Sequence, residues 1–241
     1  MSRRAFGLDP AKVSADILFD MRRLRNTNFA AVFAAFFAAL LAGLPPFAAL
    51  AEPVRIMAYG DSLVHGYGLP PGDAFPAQLE SALREEGYEV TVINAGNSGE
   101  TSKGGRERLA WTLADAPDIL VLVLGANDML RGLDPVKTEE NLAAILEELQ
   151  RRDIRVLLAG MKAQRGLGQN YVTVFDALYP DLAERYGVAF YPFFLEGVAA
   201  DPALNQSDGL HPNAEGVGKI VRQMLPALIP LIEQERQAAA G

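Results

Sequence analysis

The sequence predicts a doubly wound, three-layer α/β domain built on a five-stranded parallel sheet. Three observations predict it. Five short apolar runs recur along residues 52–241 without alternating with polar residues, as strands buried on both faces do. Helix-period apolar stripes fill the gaps between them. The length left for this part, 190 residues, suits one α/β domain.

The elements follow in order. The first strand is expected at Val54–Tyr59. Phe75, Leu79, Ala82 and Leu83 then repeat at helical spacing. Second and third strands are expected at Val90–Ala95 and Ile119–Leu124. Asp134-Pro135 supplies an N-cap and a first-turn proline. The stripe Leu142, Ile145, Leu146 and Leu149 continues that helix. Fourth and fifth strands fall at Arg155–Ala159 and Val188–Tyr191, and Val217, Ile220, Val221 and Met224 mark a final helix. No internal repeat and no linker interrupts the chain after Ala51.

Residues 1–51 read as an N-terminal extension and secretory signal, separate from a domain at 52–241. Phe29–Leu44 is a sixteen-residue run without charge, preceded by Arg22, Arg23 and Arg25. Ala49-Leu50-Ala51 then offers a small-residue cleavage site. The rival is an uncleaved anchor, since the apolar stretch to Ala51 counts 23 residues. Asp9, Asp16 and Asp20 fit a leader poorly, and a cleaner one begins at Met21. Arg3-Arg4 lies too far from the apolar run for a twin-arginine signal.

Composition narrows the function classes. There is no cysteine, which excludes disulfides, thiolate metal sites and a cysteine nucleophile. Two histidines cannot make a three-histidine metal centre. Cleavage after Ala51 leaves 16 Lys/Arg against 27 Asp/Glu, a net charge of −11. Such a surface repels nucleic acid and anionic headgroups. A periplasmic or secreted protein is expected, without a stable membrane span once the signal is removed.

Ligand sites of open parallel sheets lie at the carboxyl ends of the strands, so the residues after each strand matter most. Gly60-Asp61-Ser62-Leu63 follows the first. A serine there either presents a nucleophilic hydroxyl or makes an ordinary turn. Asn94–Thr101, NAGNSGET, follows the second, and its glycines let N–H groups approach a ligand oxygen or simply form a flexible loop. Gly125-Ala126-Asn127-Asp128 follows the third, with an amide suited to an oxyanion or to a cap. Near the end stands Asp208-Gly209-Leu210-His211-Pro212-Asn213. There an aspartate three residues before a histidine can hold one ring nitrogen and free the other for a serine proton.

These four blocks, in this order over 53–235, resemble the SGNH (GDSL-type) hydrolases, within them the acyl-CoA thioesterase I / lysophospholipase L1 / arylesterase group. The matching stretches are GDSLVHGYG at 60–68, NAGNSGETS at 94–102, GANDMLRG at 125–132 and DGLHPN at 208–213. The resemblance implies a flavodoxin-like strand order 2-1-3-4-5 and a serine esterase that needs no cofactor or metal. It implies Ser62 as nucleophile, His211 as general base and Asp208 as its orienting partner. It implies an oxyanion hole from Ser62 N–H, Gly99 N–H and the Asn127 amide. Met129, Leu130 and Leu133 lie in a segment similar to the substrate loop of these relatives. The expected substrate is a small acyl ester or a lipid. Ala126 replaces a glycine common in the group, and His65 a small residue. His65 has no aspartate at a spacing to orient it and reads as a loop histidine. A carbohydrate O-deacetylase and a non-enzymatic binding module remain the alternatives. The first wants aromatic platforms, and Trp111 is the only tryptophan.

Overall fold

The structure is a computed structural model that describes residues 52–240. The expected leader at 1–51 lies outside the described residues.

Five strands form one parallel sheet: β1 Val54–Gly60, β2 Val90–Gly96, β3 Ile119–Val123, β4 Arg155–Ala159 and β5 Ala189–Tyr191. Their order is β2-β1-β3-β4-β5. The implied topology is therefore the observed one. Helices α1 Ser62–His65, α2 Phe75–Glu85, α3 Ser102–Thr112, α4 Ala126–Leu130, α5 Pro135–Arg151, α6 Gln169–Tyr186 and α7 Ala214–Ala240 connect and cover the strands. α2 packs on α7, while α3 packs on α5 and α5 on α6. Among the described residues no helix is long and apolar enough to cross a membrane.

The apolar runs explain the layering. Every residue of β3 is buried, and Ile56 to Tyr59 of β1 are fully so, because helices close both faces of the sheet centre. The stripe of α5 (Leu142, Ile145, Leu146, Leu149) and that of α7 (Val217, Ile220, Val221, Met224) turn into the same core. Asp134 caps α5, its carboxylate accepting from the Val136 N–H at 3.0 Å, with Pro135 at the first helical position.

Two strands depart from the expectation of uniform burial. β2 exposes Thr91 and Asn94, and β5 shrinks to three residues without Val188. Both are edge strands, so one side of each meets loops and water rather than a neighbouring strand.

Register places the strand ends together. Gly60 lies opposite Gly96 of β2 and opposite Val123 of β3. The residues that follow these three therefore leave the sheet at one edge. β1 pairs with strands on both sides and the chain crosses from one flank to the other there, so this edge is the topological switch point.

Candidate active site

Ser62 opens α1 directly after β1. The turn is tight because Asp61 caps it: its Oδ1 accepts from the Leu63 N–H at 3.0 Å. α1 then lies against β2 so closely that a side chain at Gly96 would collide with the His65 backbone. Ser62 is the first residue of this helix, so no intrahelical acceptor exists for its N–H.

His211 reaches Ser62 from a sequence separation of 149 residues. A small folded segment carries it. Asn205 bridges Pro212, the Gln206 N–H donates to the His211 carbonyl at 2.8 Å, and Gly209 turns the chain at φ +69°. Gln206 Nε2 also donates to the Tyr67 carbonyl at 2.7 Å and to that of Pro212 at 3.0 Å. One amide thus fastens the histidine segment to the segment that follows the serine. The Tyr67 ring lies 4.7 Å from the imidazole, centroid to centroid.

The three side chains make a continuous chain of contacts. His211 Nε2 lies 2.9 Å from Ser62 Oγ, and His211 Nδ1 lies 2.6 Å from Asp208 Oδ2. Asp208 Oδ1 accepts from the Leu210 and His211 N–H groups at 2.9 and 3.0 Å. The His211 N–H and its imidazole, helped by the Leu210 N–H, hold the Asp208 carboxyl down at about 2. Asp208 is therefore an ionised acceptor at any working pH. Its partner nitrogen Nδ1 must carry the proton, which leaves Nε2 to accept from the serine hydroxyl. The stability that Asp208 contributes is present above its ordinary 3.8 and is lost as pH falls from about 4 through about 2.

Ser62, Gly99 and Asn127 line one cavity of about 410 Å³. Gly99 follows β2 with φ +79°, a conformation natural to glycine, and its N–H has no hydrogen-bond partner among the described residues. Asn127 lies in α4 after β3. Met129 and Leu130 line the cavity as well, together with Met161, Phe193, Leu195 and Leu210. Leu133 does not. Its N–H donates to the Asp128 carbonyl at 2.9 Å after the turn at Gly132, and its side chain faces solvent outside the cavity wall. His65 is exposed and outside the cavity, with Nδ1 3.3 Å from the Gly96 carbonyl. Trp111 is 81% exposed on α3 and does not line the cavity either.

Sequence reasoning missed what supports these residues. Asp61, fully buried, accepts from Asn127 Nδ2 at 3.0 Å with the oxygen that does not cap α1. Burial pushes its carboxyl up to about 6 against the opposing pull of the Leu63 N–H and the Asn127 amide. A second buried carboxylate, Asp128, accepts from the Ser102 N–H at 2.7 Å and the Ser102 hydroxyl at 2.6 Å, joining the start of α3 to α4. Glu100, also buried, takes Arg108 Nε at 2.5 Å, and Arg108 in turn donates to the Gly60 and Ala95 carbonyls at 3.2 and 2.8 Å. The ends of β1 and β2 are thereby fixed by one guanidinium.

The Asp61–Asn127 contact yields a test. A carboxylate can only accept, so Asn127 must present its NH₂ to Asp61. In Asp61→Asn the new amide keeps its oxygen on Leu63 and turns an NH₂ toward Asn127, which then flips. With Asn127 in the oxyanion role that the resemblance implies, kcat is expected to fall about 10²- to 10³-fold, the usual cost of one such donor. Stability moves the other way. The native state holds the Asp61 proton up to about 6 and the unfolded chain only to about 3.8, so the wild type loses stability as pH rises between these values. The neutral amide does not, so the variant's Tm gains on the wild type across that window in a melting series.

Fold and site together define an ester-hydrolysing enzyme of the α/β class. The chain belongs to the GDSL-like lipase/acylhydrolase family, whose sequence pattern matches residues 58–218. It is 35% identical to Esterase TesA of Pseudomonas aeruginosa over 178 residues, 73% of this chain and 89% of that protein. It is 36% identical to thioesterase 1/protease 1/lysophospholipase L1 of Escherichia coli K12 over 189 residues, 78% of this chain and 88% of that one. The crystal structure of AlinE4, an SGNH-hydrolase family esterase, superposes with a TM-score of 0.65 at 46% identity, covering 75% of this chain and 97% of that one.

Proposed function

We propose that this enzyme cleaves acyl esters through a covalent acyl-serine on Ser62. The observation that carries the reading is the relay from Asp208 through His211 to the Ser62 hydroxyl at 2.6 and 2.9 Å, opening on an apolar cavity. His211 takes the hydroxyl proton as Ser62 Oγ attacks the ester carbonyl. The Ser62 and Gly99 N–H groups and the free hydrogen of the Asn127 amide receive the oxyanion. Protonated His211 returns its proton to the departing alkoxide or thiolate, and the acyl group stays on Ser62. Water, deprotonated by the same imidazole, then attacks the acyl-enzyme and releases the acid.

The cavity walls support an acyl chain as the group bound. Met129, Leu130, Met161, Phe193 and Leu195 offer thioether and hydrocarbon surface, and the single tryptophan is elsewhere. The aromatic rings of this lining are Tyr67 and Phe193, beside a larger share of aliphatic and thioether side chains. The esterase, thioesterase and lysophospholipase named among the relatives fit such a wall. Residues 1–51 serve in this reading as an export leader cleaved after Ala51, which puts the enzyme in the periplasm or outside the cell. Lipid or small-molecule esters are then more accessible substrates than coenzyme A thioesters.

The test is hydrolysis of p-nitrophenyl esters of graded chain length by the full chain. kcat/KM is expected to rise from acetate to a medium-chain optimum, since each buried methylene adds about 0.8 kcal/mol. A maximum at acetate, with deacetylation of acetylated xylan, would replace the acyl-chain reading by a deacetylase.

A further inference from the structure

The peptide that follows Gly99 is held on both sides. Its carbonyl accepts from an Arg131 guanidinium nitrogen at 2.7 Å. Its N–H, on Glu100, donates to the Asn97 carbonyl at 3.1 Å, and Asn97 Nδ2 returns a bond to the Glu100 carboxylate at 3.0 Å. The Asn97 N–H is tied to the Gly60 carbonyl at 2.9 Å. Three of these four contacts are internal to the loop or bind it to β1. The fourth, from Arg131, is the one that ties Gly99 to α4.

Besides these hydrogen bonds, little packs against Gly99 on the side where a Cβ would stand. A side chain built there would find one neighbour within 4 Å, the same Arg131 nitrogen at 3.8 Å. A glycine in open space at positive φ turns at little cost, so the direction of its N–H depends on what grips the adjoining peptide. Arg131 is well placed to grip it. It stands four residues after Asn127, at the end of α4, and its own N–H donates to the Asn127 carbonyl at 3.2 Å. Residues at this spacing share a helix face. The same short helix thus carries the Asn127 amide into the cavity and the guanidinium onto Gly99.

Building on the proposed acyl-serine mechanism, we infer that Arg131 is a positioning residue: its hydrogen bond to the Gly99 carbonyl aims the Gly99 N–H at the oxyanion and sets it in register with the Asn127 amide. Arg131 acts through Gly99 rather than on the substrate. Its loss therefore weakens binding of the tetrahedral transition state and leaves ground-state ester binding alone.

Arg131→Met tests this in the full chain, since it removes the donors and keeps the apolar length of an exposed side chain. kcat on a p-nitrophenyl ester is expected to fall about 10- to 100-fold, less than complete loss of a donor, with KM within about twofold. Inactivation by diethyl p-nitrophenyl phosphate, whose phosphoryl oxygen enters the same hole as Ser62 attacks phosphorus, slows in parallel. Arg131→Lys, which keeps a charge and one donor nitrogen, falls between wild type and Arg131→Met. Unchanged kcat in a folded Arg131→Met variant overturns the inference, as does a raised KM at constant kcat, which makes Arg131 a substrate contact. Ser62→Ala in the same assay separates the two failures: turnover surviving in it removes the acyl-serine mechanism itself.

Discussion

Ser62→Ala lowers kcat on any ester by roughly 10⁵- to 10⁶-fold, the scale seen when a triad nucleophile is removed. The change deletes one oxygen. The Ser62 hydroxyl accepts no capping bond at the start of α1, because the Asp61 carboxylate accepts that bond from the Leu63 N–H, so the fold stays intact. Stability should change by no more than about 1 kcal/mol. KM should move little, since the cavity lined by Met129, Leu130, Met161 and Phe193 is untouched. The residual rate belongs to the oxyanion donors acting on a water molecule. Steady-state hydrolysis of a p-nitrophenyl ester, with a melting curve on the same sample, checks both halves.

Asp208→Asn lowers kcat by about 10⁴-fold through the wrong imidazole tautomer. Asp208 Oδ1 serves the Leu210 and His211 N–H groups, while Oδ2 serves His211 Nδ1. An asparagine that keeps its oxygen on the two backbone donors must aim its NH₂ at Nδ1. That nitrogen can then only accept, and the ring proton moves to Nε2, where it faces Ser62 Oγ and cannot be displaced by it. An asparagine turned the other way abandons both backbone bonds. A loss below about tenfold would mean that His211 is oriented by something other than Asp208.

Much of this was legible in the sequence because the chemistry clusters at strand ends. β1 and β3 are read from unbroken runs that only a covered sheet centre tolerates, while Gly60-Asp61-Ser62, Gly125-Ala126-Asn127 and Asp208–His211, each open to a turn or cap reading alone, are read as a site from their order and the resemblance it carries. The supports were not legible, because each joins distant polar groups. Gln206 meets Tyr67 across 139 residues and Asp61 meets Asn127 across 66. Periodicity carries no signal for such pairs. Asp61 had the strongest local clue, as the residue before the serine, yet its cap to Leu63 is an ordinary turn bond, and its contact with Asn127 depends on the register of β1 with β3. Leu133 is grouped with Met129 and Leu130 by the resemblance of their segment to the relatives' substrate loop. The turn at Gly132 separates them: Met129 and Leu130 line the cavity and Leu133 does not.

Ser62, activated by His211, is expected to form the covalent bond to the acyl group. Labelling the full chain with a fluorophosphonate and mapping the adduct by peptide mass spectrometry tests it most directly. One adduct is expected, on Ser62, absent from Ser62→Ala and slowed when the imidazole is protonated. A folded, active enzyme that takes no label, or that carries it on another serine while Ser62 stays free, would contradict the account.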